Sequence, residues 1–237
     1  MTAPGDTSPD SATDPEVMER VWDEKYSESE RIWTGDPNGT LVSEISDLSP
    51  GRALDVGCGE GADAVWLAGR GWQVVALDVS GVALQRGEQA AKDAGVSVEW
   101  IHTGLIEADL PHAGFDLVSA QYPVLPRTPE AIGERILADS VAPGGTLLFV
   151  HHAQFGTPAE SGQAHNHHHA DDGDHAPGAG PSHEFDPATL VGVEDMRRFL
   201  ATANGWTIDT HEVRPRDLAT GAGAHHTEDV VLRAIRS

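Results

Sequence analysis

A glycine-rich turn follows a short apolar run at residues 53–62, where the sequence reads ALDVGCGEGA. Glycines at such a point let the backbone turn tightly and let a ligand approach closely, and a following helix offers unpaired backbone N–H groups. The backbone of Gly57, Cys58 and Gly59 is therefore a candidate cradle for a nucleotide-like ligand. Asp78 ends the next apolar run, where a carboxylate can accept hydrogen bonds from ribose hydroxyls.

Two classes of ligand fit this spacing. Gly57, Gly59 and Ala62 satisfy the dinucleotide pattern G-x-G-x-x-A, which makes an NAD(P)-dependent oxidoreductase one interpretation. Asp55 opposes it, because dinucleotide-binding strands usually carry an apolar residue there, whereas a ligand with a cationic amino-acid group favours a nearby carboxylate. The sequence also shows no separate catalytic domain, which counts against an oxidoreductase. The oxidoreductase is therefore kept as the alternative.

The elements that position these residues alternate between short apolar runs and helical patterns, as in parallel strands buried on both faces. The predicted strands cover residues 52–56, 73–77, 97–102, 115–120, 145–151, 207–214 and 228–236. The predicted helical segments cover residues 16–33, 40–47, 61–71, 80–94, 129–141 and 193–204, with Ser80 as an N-cap. No helical pattern separates the last two strands, so one of them must run antiparallel to the rest.

The segments outside this alternation set the domain boundaries. Residues 1–15 are predicted to be a disordered tail, because they offer almost nothing to bury. Residues 16–50 are predicted to form a helical lid, and residues 51–237 a domain with an insertion at 154–185 that is rich in His, Gly and Pro. The insertion motivates a second alternative, a non-catalytic metal-binding protein, although its spacings match no closed metal site. The prediction is therefore no metal.

Composition excludes several classes of partner. The chain of 237 residues has 38 Asp and Glu against 15 Lys and Arg, a net charge of −23 that repels nucleic acids and anionic lipids. No run of about 18 apolar residues is present, and the acidic, polar start is not that of a signal peptide. The single cysteine, Cys58, cannot form an internal disulfide. We expect a cytoplasmic protein that binds neither nucleic acid nor membrane.

Together, LDVGCGEG, VVALDVS, FDLVSAQY and APGGTLLFV resemble the class I S-adenosylmethionine-dependent methyltransferases. The resemblance covers about residues 22–153 and, more weakly, the C-terminal strands. The N-terminal VWDEKYSESERIWTGDPNGTLV is similar to the small-molecule branch that includes thiopurine and tellurite-resistance-type methyltransferases. The resemblance implies an α/β fold, a doubly wound and mostly parallel sheet with a C-terminal antiparallel hairpin. It also implies S-adenosylmethionine as cofactor and a small-molecule methyl acceptor, with a thiol or other chalcogen nucleophile among the candidates.

Carried over position by position, the resemblance assigns the cofactor-binding roles. The Gly57–Gly59 backbone would cradle the methionine part, and Asp55 would meet its ammonium group. Asp78 would hold the ribose, and Val79 would pack on the adenine. Leu105 could pack on the ring as well, but Gly104 stands near the place where the family often has an acidic residue for the adenine amino group.

Further residues are predicted to complete the cofactor-binding site around the transferred methyl group. Gln121 follows the fourth strand and should face the transferred methyl group. Trp33, with Trp22 and Tyr26, could enclose the cationic sulfonium.

Catalytic candidates are His151 and His152 at the end of the fifth strand, either of which could be a general base, and Tyr122. Methyl transfer from a sulfonium needs mainly positioning, so a mechanism without a base stays open. Cys58 is interpreted as a small turn residue and not as a nucleophile.

Overall fold

The computed structural model describes residues 14–153, 155, 186–216 and 227–237. Within them, seven strands form one sheet in the order β3-β2-β1-β4-β5-β7-β6. The strands are β1 (Arg52–Val56), β2 (Gln73–Asp78), β3 (Val98–His102), β4 (Phe115–Gln121), β5 (Val141–His152), β6 (Trp206–Pro215) and β7 (Glu228–Arg236). The helices are α1 (Pro15–Ser27), α2 (Gly39–Glu44), α3 (Ala62–Gly69), α4 (Gly81–Ala94), α5 (Ile132–Ser140) and α6 (Val193–Thr202).

The direction of the strands fixes where a ligand can bind. β1 pairs in parallel with β2 on one side and with β4 on the other, so the strand order reverses at β1. A crevice opens at the carboxyl ends of the strands at such a reversal. β7 runs antiparallel to β5 and to β6, which confirms the doubly wound, mostly parallel sheet with a C-terminal antiparallel hairpin.

Both faces of the sheet are covered, as the continuous apolar runs require. Adjacent residues of β4 point to opposite layers: Leu117 belongs to the cluster with Leu67 of α3, and Val118 to the cluster with Leu137 of α5 and Met196 of α6. All five are fully buried. Among the described residues, no helix has the length and apolar character needed to span a membrane.

Element boundaries differ from the predictions at several places, those of α1, α5 and β5 among them. α1 ends at Ser27 and not near residue 33, because the chain beyond it turns to dock on the glycine-rich loop. α5 begins at Ile132 and not at 129, after a left-handed Ala131. β5 begins at Val141 and not at Gly145, with an irregular register against β4. The bounds of β1 and β7 are those predicted.

The described residues test the predicted N-terminal tail only at its end and the predicted insertion hardly at all. Asp14 caps α1 by accepting the Glu16 N–H at 3.0 Å, so helical structure begins within the segment predicted as a tail. Residues 1–13 lie outside the described residues, and so does the insertion predicted at 154–185, apart from Phe155. The N-cap predicted at Ser80 is confirmed, since its Oγ accepts the Ala83 N–H at 3.1 Å.

Gly61, which caps α3, offers a stability test. Its φ is +78°, and a Cβ there would lie 2.5 Å from the Trp100 ring. Gly61→Ala is expected to lower the free energy of unfolding by about 2 kcal/mol or more, from left-handed strain plus overpacking. Chemical denaturation measures the change, and Gly39→Ala is the control because a Cβ there would meet nothing within 4 Å. Equal stability of the two variants would contradict the packing of this turn.

Candidate active site

A cavity of about 740 Å³ opens at the carboxyl ends of β1, β2, β4 and β5, beneath the segment that joins α1 to α2. Its volume is in the range of small-molecule and cofactor sites. It is lined by all the candidates of the sequence analysis, namely Trp22, Tyr26, Trp33, Asp55, Gly57, Cys58, Gly59, Asp78, Val79, Leu105, Gln121, Tyr122, His151 and His152. Residues from five elements and from the loops beside them are thus brought to one place.

The glycine-rich turn after β1 has the conformation its composition predicts. Gly57 and Gly59 have φ of +67° and +53°, in the left-handed region that favours glycine. The N–H groups of Gly57 and Cys58 both donate to the Leu77 carbonyl, at 2.9 and 3.0 Å, which ties the turn to β2. A Cβ on Gly57 would have no atom within 4 Å, so the backbone at this point faces open cavity.

Asp78 is held in place by the backbone around it. Its Oδ2 accepts the Gly59 N–H at 2.8 Å, and its Oδ1 accepts the Ser80 N–H at 2.9 Å. Burial raises the pKa of this carboxyl group, and the two amide hydrogen bonds act in the opposite direction. The carboxylate therefore couples the glycine-rich turn to the start of α4 and has a fixed orientation.

Besides His151 Nδ1, two buried oxygen acceptors in the cavity wall have no hydrogen-bond partner among the described residues. They are Asp55 Oδ2 and Gln121 Oε1, on the adjacent strands β1 and β4. Burial raises the pKa of Asp55, and the nearby carboxylates of Asp63 and Asp78 raise it further. Unpaired buried acceptors are costly, so these atoms fit a ligand that brings donors and positive charge.

The aromatic residues of the N-terminal segment form a cover over the turn. The Trp33 Nε1–H donates to the Tyr26 hydroxyl at 3.1 Å, and a Cβ on Gly59 would lie 2.8 Å from that hydroxyl. The Trp22 ring lies 5.9 Å from the Tyr26 ring. Any side chain larger than hydrogen at Gly59 would therefore disturb this cover.

The contacts that fasten this cover were missed by the sequence analysis. Glu60 Oε2 accepts the backbone N–H groups of Ile32 and Trp33, at 3.3 and 3.1 Å. Arg86 of α4 pairs with Glu60 Oε1 at 2.7 Å and donates to the carbonyls of Tyr26 and Ser29, both at 2.6 Å. No local pattern marks this arrangement, because its partners are distant in the chain.

Arg86→Ala is expected to loosen the cover, since the variant leaves two carbonyls and the Glu60 carboxylate without their donor. We expect about tenfold weaker binding of S-adenosylhomocysteine, an analogue of the cofactor that the resemblance implies, as charged hydrogen bonds contribute about 1.5–3 kcal/mol. Amide hydrogen exchange of residues 26–33 should accelerate in parallel. Lys92→Ala is the control on the same helix, because Lys92 is exposed and lies 4.0 Å from Glu88. Unchanged exchange in Arg86→Ala would rule out this fastening.

The far end of the cavity has the apolar surface expected for a flat ring and one unexpected carboxylate. Val79 and the buried Leu105 line it from two loops. Glu107 also lines it, and a Cβ on Gly104 would lie 2.5 Å from Glu107 Oε2. An acidic group therefore stands beside the position where the sequence analysis saw only Gly104.

The three catalytic candidates have different environments. His151 is buried, its Nε2 lies 3.1 Å from the Pro123 carbonyl, and burial lowers its pKa to about 3. It stays neutral and weakly basic near neutral pH, which disfavours the general-base role. His152 Nδ1 lies 3.2 Å from Asp229 Oδ1, and the Tyr122 hydroxyl donates to Asp229 Oδ2 at 2.7 Å. Asp229 is a further residue that the sequence analysis did not identify.

The described residues bear on whether Cys58 acts as a nucleophile and on the metal-binding alternative. Burial raises the pKa of the Cys58 thiol well above its ordinary value, with further raising by Asp78 and Asp55, which opposes nucleophilic use. No group of three or more His, Cys, Asp or Glu side chains among the described residues could hold a metal ion. The histidines at 165–183 lie outside those residues.

Comparison with known proteins finds similarity to methyltransferases. Residues 53–145 match the family model of a methyltransferase domain. An uncharacterised methyltransferase of Mycobacterium tuberculosis is 38% identical over 112 residues, 46% of this chain and 55% of that protein. The ubiquinone biosynthesis O-methyltransferase of Escherichia coli is 32% identical over 113 residues, 47% of each chain. This chain therefore spans about half the length of the curated relatives it matches.

A solved structure extends the likeness to the whole fold. The N-methyltransferase NodS of Bradyrhizobium japonicum, determined with S-adenosyl-L-homocysteine, has a TM-score of 0.64 at 16% identity over 92% of this chain and 98% of NodS. The strand order, the crevice and the glycine-rich turn define the class I methyltransferase fold. Residues 53–145 are thus similar to a methyltransferase domain.

Proposed function

We propose that this protein binds S-adenosylmethionine and transfers its methyl group to a small-molecule acceptor. The observation that carries the proposal is the ring of groups around the open glycine-rich turn. Asp78 is fixed by backbone hydrogen bonds at the end of β2, and the oxygens of Asp55 and Gln121 that have no partner among the described residues lie on β1 and β4. A ligand with ribose hydroxyls at one part and an ammonium group at another matches both.

Different residues of this chain contact different parts of the cofactor. The Gly57–Gly59 backbone admits the amino-acid part without a Cβ in the way, and Asp55 with Gln121 accepts its N–H donors. The fixed Asp78 carboxylate suits the ribose diol. Val79 and Leu105 offer apolar contact to the adenine, and Glu107 can accept from its amino group.

Methyl transfer requires mainly that the protein orient the two reactants and exclude water from the pocket. When bound, S-adenosylmethionine supplies a methyl group on a positively charged sulfur. The protein must align an acceptor with that methyl and exclude water, which the cover of Tyr26 and Trp33 favours. Gln121 ends β4 and Tyr122 follows it, beside the remaining cavity where the acceptor would lie.

The acceptor is proposed to be a small molecule with a chalcogen nucleophile, a thiol or hydroxyl. The relatives act through different atoms: by name, the E. coli relative is an O-methyltransferase and NodS an N-methyltransferase. The charge of −23 argues against a nucleic-acid acceptor. Membership of the thiopurine and tellurite branch stays a prediction from the N-terminal segment.

Calorimetric titration with S-adenosylhomocysteine, S-adenosylmethionine and NADH tests the proposal without knowledge of the acceptor. We expect micromolar binding of both adenosyl ligands and none of NADH. Binding of NADH alone would favour the oxidoreductase, whose pattern the glycines also satisfy. Binding of none of the three would reject both cofactor assignments.

A further inference from the structure

We infer that His152, oriented by Asp229, is the base that removes the proton from an O–H or S–H methyl acceptor. The inference rests on the proposed function and adds to it a residue role and an acceptor class. It comes from a cluster at the acceptor end of the cavity, built from the ends of β4, β5 and β6 and the start of β7. The cluster consists of Tyr122, His152, Arg216 and Asp229.

The sheet itself brings the pair together. His152 and Asp229 are register partners in the antiparallel pairing of β5 with β7, and His152 Nδ1 lies 3.2 Å from Asp229 Oδ1. Both side chains line the cavity. The Tyr122 ring stacks on the His152 ring at a centroid distance of 4.4 Å. The stacking on Tyr122 thus fixes the plane of the His152 imidazole, and the contact with Asp229 fixes the rotation of the ring within that plane.

Asp229 is positioned by two further groups. Its Oδ2 accepts from the Tyr122 hydroxyl at 2.7 Å and lies 3.6 Å from Arg216 Nε. Only 2% of Asp229 is exposed, and Arg216 also lies over the Tyr122 ring at 4.8 Å. Tyr122 has a φ of +54°, an uncommon conformation for a residue with a side chain. Such strain concentrates at functional sites, where the surroundings hold it in place.

This geometry sets the tautomer of His152. A carboxylate facing Nδ1 selects the form in which Nδ1 carries the proton, so the basic lone pair is on Nε2. In the transfer step Nε2 takes the proton of the acceptor, and the oxygen or sulfur lone pair forms the bond to the methyl carbon. The bond from that carbon to the sulfonium sulfur breaks and its electrons neutralise the sulfur. The imidazolium that results is stabilised by Asp229.

The other groups facing His152 do not suit this role. His151 stays neutral because burial lowers its pKa to about 3, and its Nε2 is bound to the Pro123 carbonyl. Burial raises the pKa of Tyr122, and the bond to Asp229 raises it further, so Tyr122 keeps its proton. Arg216 is a cation and Asp229 is enclosed by donors. These groups therefore do not compete with His152 for the proton of the acceptor.

The acceptor class follows from what a base contributes. A neutral alcohol, phenol or thiol must lose a proton to become a good nucleophile, whereas a free amine attacks with its own lone pair. A built histidine–carboxylate pair is therefore matched to O–H and S–H acceptors. Acceptors that are already ionised in solution should gain little from His152.

The experiment uses that difference. Methylation of phenol, para-nitrophenol, thiophenol and aniline by S-adenosylmethionine is followed by mass spectrometry near pH 8 with the full chain. For His152→Gln we expect kcat on phenol to fall about 100-fold, the usual contribution of a general base, against less than about tenfold on ionised para-nitrophenol. Asp229→Asn should give a smaller loss of the same pattern. In both variants KM should change little.

His112→Gln is the control, because His112 is exposed and lies near Asp139, away from the cavity. Equal losses on phenol and para-nitrophenol would mean that His152 is structural and would overturn the inference. Turnover of aniline alone, or of no probe, by a protein that binds S-adenosylhomocysteine would also overturn it. Failure to bind S-adenosylhomocysteine would instead reject the proposed function, which separates the two outcomes.

Discussion

Asp78→Ala is expected to weaken binding of S-adenosylhomocysteine by about 100-fold or more, because two effects add. The variant loses the acceptor for the ribose hydroxyls, and charge-assisted hydrogen bonds contribute about 1.5–3 kcal/mol. It also leaves the N–H groups of Gly59 and Ser80 without their acceptor, so the glycine-rich turn loses its link to α4. Calorimetric titration measures the loss directly.

Two further variants separate these effects. Asp78→Asn keeps one carbonyl acceptor and so should retain more of the turn, with a loss of affinity between those of the parent and Asp78→Ala. Asp93→Ala removes an exposed carboxylate of α4 that pairs with Gln89 and should bind as the parent does. Parent-like affinity in Asp78→Ala would mean that the ribose does not lie at this strand end.

Much of the fold could be predicted because its elements are marked locally. β1 and β7 have the predicted bounds, since each is a short apolar run between polar or glycine-containing breaks. The antiparallel pair at the C-terminus followed from the missing helix between two strands. Other boundaries differed, and those of α1, α5 and β5 depend on tertiary contacts or backbone irregularities that propensity does not record.

The site residues show the same difference between what the local sequence predicts and what depends on distant contacts. Asp55, Gly57 and Asp78 were recognisable because each occupies a set place beside a strand end. Glu60 and Arg86 were not, since their value comes from contacts with residues 26 positions or more away. Asp229 likewise reaches the cavity through pairing of β7 with β5, which no local spacing announces.

The remaining large effect concerns the buried carboxyl group of Asp55. Burial and the carboxylates of Asp63 and Asp78 raise its pKa, whereas the unfolded chain has the ordinary value. Between those two pKa values the folded state holds more protons, so its stability falls as pH rises through the interval. Asparagine resembles the protonated form. Asp55→Asn without ligand should therefore be more stable than the parent near neutral pH, as a higher melting temperature shows.

Binding should respond in the opposite direction. An ammonium group favours the Asp55 carboxylate, so the parent should release a proton on binding S-adenosylhomocysteine, and its affinity should rise with pH up to the raised pKa. Asp55→Asn should bind about 10–100-fold more weakly, the value of a charge-assisted contact, with no proton release. Titrations in phosphate and in Tris detect the proton, because the observed enthalpy depends on the buffer that takes it up. A variant that is more stable yet binds as the parent does would place the ammonium group elsewhere, since stability and affinity would then report on different atoms.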